Sequence, residues 1–86
     1  MKGELKMKYM MICYSEHDNE IVEHKLFDSL KEAVEYMTHD INKTYRTEKF
    51  MIESDSCHKV IEEMTGMVES CAGEYRWTWT IFKVEV

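Results

Sequence analysis

Along Glu74–Val86 the chain reads Glu-Tyr-Arg-Trp-Thr-Trp-Thr-Ile-Phe-Lys-Val-Glu-Val. Period-two alternation puts Tyr75, Trp77, Trp79 and Ile81 on one face, and Thr78, Thr80, Phe82, Val84 and Val86 on the other. Both faces carry aromatic or β-branched residues, so the pattern predicts an inner strand with something covering each side. Leu5–Tyr14 holds the run Tyr9-Met10-Met11-Ile12-Cys13-Tyr14. It too is apolar on both faces and predicts an inner strand. The polar stretch Ser15–Glu20, with Asp18-Asn19 at its centre, suits a hairpin turn. Ile21–Phe27 completes the hairpin, with Val22, His24 and Leu26 on one face and Ile21, Glu23, Lys25 and Phe27 on the other.

The period then changes to that of a helix. Asp28 or Ser29 is placed to cap it, and Glu32 lies at the capping-box spacing from Ser29. Leu30, Ala33, Val34, Met37, Ile41 and Tyr45 fall on one stripe, which predicts a helix over Ser29–Tyr45 packed on the sheet. Phe50-Met51-Ile52 is a short apolar knot, followed by the capping-type run Ser54-Asp55-Ser56. Val60, Ile61 and Met64 favour a short second helix ended by Gly66; a strand with alternating Val60, Glu62 and Met64 is the alternative. Met67–Cys71 reads as a strand and Ala72-Gly73-Glu74 as a turn. The expected fold is α+β: a four-stranded antiparallel sheet in the order β-β-α-(α)-β-β, with the helices mainly on one face.

A chain of 86 residues has room for one small core, so residues 1–86 read as a single domain. Met7-Lys8-Tyr9 resembles a start, which makes the first six residues read as a leader, with 1–3 loose. With 17 acidic residues against 11 Lys and Arg, the net charge of −6 disfavours direct binding to a phosphate backbone. It suits a basic protein partner, or solubility alone. The amino terminus lacks an apolar signal region, and no apolar run reaches the roughly 20 residues of a bilayer span. Cys13, Cys57 and Cys71 are odd in number and irregularly spaced, which fits free thiols in a reducing cytoplasm.

Candidate chemistry is sparse. Cys57-His58 and Cys71, with His17, His24 or His39, lack the paired spacing of a zinc site, so no metal or cofactor is expected. A Cys-His-Asp set drawn from Cys13 or Cys57 with His24, His39 or Asp40 has no local signature around it. Arg76-Trp77-Thr78-Trp79 could stack bases on an open sheet, but the two indoles fit a sheet–helix core better. No enzyme is expected. If a helix covers the tryptophan face, Phe82 and Val84 remain on the other as an apolar patch. Acidic residues cluster twice: Glu16, Asp18, Glu20 and Glu23 around the hairpin, and Glu53, Asp55, Glu62, Glu63 and Glu69 further on.

Two stretches, Phe-Asp-Ser-Leu-Lys-Glu-Ala-Val-Glu-Tyr-Met at Phe27–Met37 and Tyr-Arg-Trp-Thr-Trp-Thr-Ile-Phe-Lys-Val at Tyr75–Val84, carry a family resemblance. With the Met-Lys-Tyr start, the chain resembles small accessory proteins of phages and mobile elements in low-GC bacteria. Some of those are anti-defence inhibitors, such as anti-CRISPR proteins, that occlude a nuclease. The resemblance implies a binding module and no catalytic residue. The expectation is a cytoplasmic, non-enzymatic module that binds a basic or nucleic-acid-handling protein through Glu16, Asp18 and Glu20 and through Phe82 and Val84. A homodimer formed through the exposed sheet face is the alternative, and a small metal protein or enzyme a third.

Overall fold

The computed structural model describes residues 7–52 and 57–85, without the side chains of residues 51, 52 and 72. The leader, the capping run Ser54-Asp55-Ser56, Glu53 and Val86 lie outside the described residues, as do the side chains of Met51 and Ile52 in the apolar knot. Strands β1 (Met7–Ser15) and β2 (Glu20–Phe27) precede one helix, α1 (Leu30–Ile52). Strands β3 (His58–Ile61), β4 (Thr65–Ser70) and β5 (Tyr75–Glu85) follow, the last two joined by a turn of 3₁₀ helix at Cys71–Gly73. All five strands form one antiparallel sheet in the order β2-β1-β5-β4-β3.

The expected α+β class and antiparallel sheet hold, and β5 is the central strand. Three details differ. The sheet has five strands, because the segment read as a second helix is the edge strand β3, where Val60 pairs with Met67 and Ile61 with Gly66. Its β-branched residues suit an extended backbone, and pairing with β4 decides between the two periods. Helix α1 runs on to Ile52 instead of ending at Tyr45. Arg46–Lys49 are helix-compatible and contain no Gly or Pro, and Glu48 is tied to the sheet by a hydrogen bond from Ser70 Oγ (3.0 Å). Gly66 is a buried residue of β4, not a helix breaker.

Helix α1 starts as its capping residues predict, with the Glu32 N–H donating to Ser29 Oγ (3.1 Å) and the Ala33 N–H to the Ser29 carbonyl (3.2 Å). Its apolar stripe packs on one face of the sheet. The core there consists of Met11, Cys13, Ala33, Met37, Ile41, Val68, Trp79 and Ile81. Trp77, Tyr9, Phe27 and Tyr45 close around it. Thus α1 covers only one side of β5. In the first hairpin the turn ends on Asn19 at φ 56, a left-handed conformation that asparagine tolerates. A register shift between Cys13 and Tyr14 leaves Val22 as an extra residue in β2.

Candidate functional site

Among the described residues, no element covers the face of the sheet turned away from α1. Strand alternation places Met10, Ile12 and Tyr14 of β1 there, with Thr78, Thr80, Phe82 and Val84 of β5. The pairing joins these positions into rows across the sheet. Leu26, Met10 and Phe82 make one row. His24, Ile12, Thr80 and Thr65 make the next. Ile21, Tyr14, Thr78, Met67 and Val60 make a third. Leu26, Phe82 and Val60 are 46%, 48% and 44% exposed. None of these three rows contains an acidic residue.

Charges close the face at its two ends. The Lys8 ammonium lies 3.1 Å from Asp28 at one end. At the other, Arg76 donates to Glu69 through Nε (3.0 Å) and Nη2 (2.6 Å), and its Nη1 lies 3.8 Å from Glu16. The twelve positions of these rows, at about 4.8 Å between strands and about 6.7 Å between rows, make an open area of about 390 Å². That is within the range of the largest patch a monomer ordinarily leaves exposed, a patch that is often functional.

The five predicted contact residues therefore belong to two places. Phe82 and Val84 lie on the open face, Phe82 in an apolar row and Val84 opposite Lys8 beyond it. Glu16, Asp18 and Glu20 sit at the hairpin, about 20 Å away along β5 at 3.3–3.4 Å per residue. Glu16 is engaged with Arg76, and Asp18 accepts a hydrogen bond from Ser15 Oγ (3.0 Å) while its own N–H donates to the same oxygen (3.3 Å). Glu20 is exposed and opposes Ser15.

Glu23 does not belong to the acidic surface cluster. It points to the helix side, where the Tyr36 hydroxyl donates to its Oε2 and the Lys25 ammonium lies 4.7 Å from the Tyr36 ring centroid. Burial raises the Glu23 carboxyl above its ordinary range; the Tyr36 hydrogen bond opposes that rise, and Asp40 adds to it. Tyr36, held by the same bond to Glu23, is pushed up to about 12. A carboxyl raised by folding binds its proton more tightly in the folded chain. Its contribution is therefore most favourable below the unfolded value of 4.5 and is lost as pH rises through the higher folded value. Glu23→Gln keeps an acceptor for Tyr36 and cannot ionise. Thermal melts from pH 4 to 8 should show a flatter profile for this variant and a higher Tm at pH 7 than for the parent.

The remaining candidate chemistry disperses. Cys13 is buried beneath α1, and burial, helped by Asp40 and Glu23, pushes its thiol up to about 12, so it is not a thiolate nucleophile at neutral pH. His24 is on the opposite face of the sheet. Both indoles lie on the helix side: Trp79 is 1% exposed, and its Nε1 donates to Asp40 Oδ2 (2.9 Å). They therefore form no stacking platform on the open face. Among the described residues no group of three or more His, Cys, Asp or Glu is placed to hold a metal, and no helix is long and apolar enough to cross a membrane.

A cleft of about 710 Å³ lies on the helix side, where the first hairpin, the later turns of α1 and the start of β5 meet. His17, Tyr75 and Trp77 line it together with Asp18 and Glu48. The rings of His17 and Tyr75 pack with centroids 4.5 Å apart and planes inclined at 59°. Sequence pattern does not reveal this site, because its residues come from separate elements that only the fold brings together. The open face was half legible in the shared face of His24 and Leu26 and in that of Phe82 and Val84; Ile21, read on the opposite face with Glu23, is brought opposite Tyr14 by the bulge at Val22. No protein-family model, curated protein or solved structure matches the chain, so the reading of both places rests on their own geometry.

Proposed function

We propose that this protein is a non-enzymatic binding module that docks another protein on the open face of its sheet. The observation that carries this is the set of three acid-free rows crossing three, four and five strands of the sheet, with Leu26, Phe82 and Val60 about half exposed within them. A mostly apolar centre, with threonines and His24 but no carboxylate, closed by charged pairs at both ends has the anatomy of a protein–protein interface. The resemblance to accessory proteins of phages and mobile elements supports a host defence protein that handles nucleic acid as the partner class. The acidic hairpin at one end then helps orient a basic partner, a contribution to association rate more than to affinity.

A second copy of the chain is the other occupant. One observation favours it. The three rows carry no carboxylate, so two copies with a net charge of −6 can meet there without opposing acids.

The test compares the parent with Leu26→Lys/Phe82→Lys, two substitutions at half-exposed positions that leave the core intact. Light scattering on the pure proteins gives the mass, and pull-down from source cells with crosslinking and mass spectrometry gives the partner. The double variant should stay folded and lose the complex, with affinity falling at least about 30-fold, as for central contact residues. A parental dimer that becomes a monomer in the variant selects the homodimer. A complex that survives both lysines overturns the use of this face.

A further inference from the structure

We propose that the cleft bounded by His17, Tyr75 and Trp77 binds an alkylammonium group. The source is either a lysine tip, free or methylated, on a protein, or a small quaternary amine. The electron-rich ring faces of tryptophan and tyrosine attract a cation, most strongly a weakly hydrated one. The volume of about 710 Å³ accommodates such a group together with the methylene stem that carries it. Of the described residues that line the cleft, none is Lys or Arg.

The carboxylates sharpen the choice of ligand. Asp18 and Glu48 both line the cleft, and a buried serine holds one oxygen of each: Ser15 Oγ donates to Asp18 Oδ2 (3.0 Å) and Ser70 Oγ to Glu48 Oε1 (3.0 Å). Those serines are 1% and 0% exposed, so both carboxylates are anchored from beneath. Among the described residues, the second oxygen of each has no side-chain partner and is left for a ligand. A guanidinium is recognised best by the two parallel acceptors of one carboxylate, and here a serine occupies half of each fork. A compact ammonium needs only single acceptors and a ring face.

This site is on the helix side of the sheet, opposite the proposed docking face, so either proposal can fail without the other. Cys71 supplies the readout. It lines the cleft and is partly exposed, whereas Cys13 and Cys57 are buried. The experiment measures the rate of Cys71 alkylation by a small uncharged maleimide, and the indole NMR signals, in the full-length protein. The probes are choline, its neutral isostere 3,3-dimethylbutan-1-ol, and short peptides carrying lysine, trimethyllysine or norleucine.

The cationic probes should slow alkylation and shift the Trp77 indole signal. 3,3-Dimethylbutan-1-ol should bind about 3- to 30-fold more weakly than choline, and the shorter, uncharged norleucine peptide more weakly than either lysine peptide. Trp77→Leu should weaken cation binding about tenfold by removing a ring face. Because Trp77 also packs against the core, Asp18→Asn and Glu48→Gln provide the second test. Each keeps an acceptor for its serine, and each should reduce choline affinity while leaving 3,3-dimethylbutan-1-ol unchanged. Tighter binding of lysine peptides identifies a protein side chain as the source, and tighter binding of choline identifies a small amine. Equal binding of cations and isosteres, or no protection of Cys71 by any cation, overturns the proposal.

Discussion

Trp79→Ala is expected to remove about 4 kcal/mol of stability, the usual cost of truncating a fully buried tryptophan. At about 0.05–0.15 kcal/mol per residue, a chain of this length has about 4–13 kcal/mol in all, so the variant should lose between about a third and nearly all of its stability. The indole is 1% exposed at the centre of the sheet, where its cross-strand neighbours are Cys13 and Gly66. Small residues on both sides leave the space the ring fills, and nothing there can expand into the cavity left by alanine. Trp79→Phe separates packing from hydrogen bonding. It keeps most of the volume but leaves Asp40 without the 2.9 Å bond from Nε1, at a cost of about 1–2 kcal/mol. Urea denaturation of the three proteins checks both figures. Equal stability of the phenylalanine variant and the parent would show that the Trp79–Asp40 bond contributes nothing net.

Gly66→Ala is expected to destabilise the protein by about 2 kcal/mol, although alanine normally suits a strand better than glycine by about 0.5–1 kcal/mol. A Cβ at Gly66 would overlap Ile41 Cδ1 and sit 3.2 Å from the Val60 carbonyl oxygen. Ile41 is 0% exposed, and the Val60 carbonyl belongs to β3 opposite β4. Neither yields freely. The clashing atom is the one that Ile41→Val deletes. That change alone should cost about 1 kcal/mol, yet in the Gly66→Ala background it should restore stability. A double-mutant cycle by urea denaturation would then give a coupling of about 1–2 kcal/mol. Additive effects would mean that the overlap is relieved elsewhere, without Ile41.

These two sites also show how unevenly the fold was legible. Trp79 declares itself: an aromatic run with period two can hardly be anything but a central strand, and the stripe Leu30–Ile41 can hardly be anything but a helix laid on it. Gly66 misled. In one dimension a glycine after Val60-Ile61-Met64 resembles a helix stop, and only the approach of α1 to β4 shows why a side chain is excluded there. The same holds for β3. Four residues are too few for a period to be distinctive, and their strand character comes from β4 beside them.

Patterning by itself therefore determined the class of the protein, the inner strands β1 and β5, the hairpin turn, and the start and apolar stripe of α1. Each follows from local alternation or capping, which a residue and its near neighbours fully express. Tertiary structure decided what those elements face. It added β3 to the sheet, drew Glu23 to the helix side beside Tyr36, and separated the acidic hairpin from Phe82 and Val84. It also assembled the cleft, joining Asp18 to Glu48 and Trp77 across the chain. Contacts of that kind depend on strand order and on which face the one helix covers, and short-range periodicity carries no record of either.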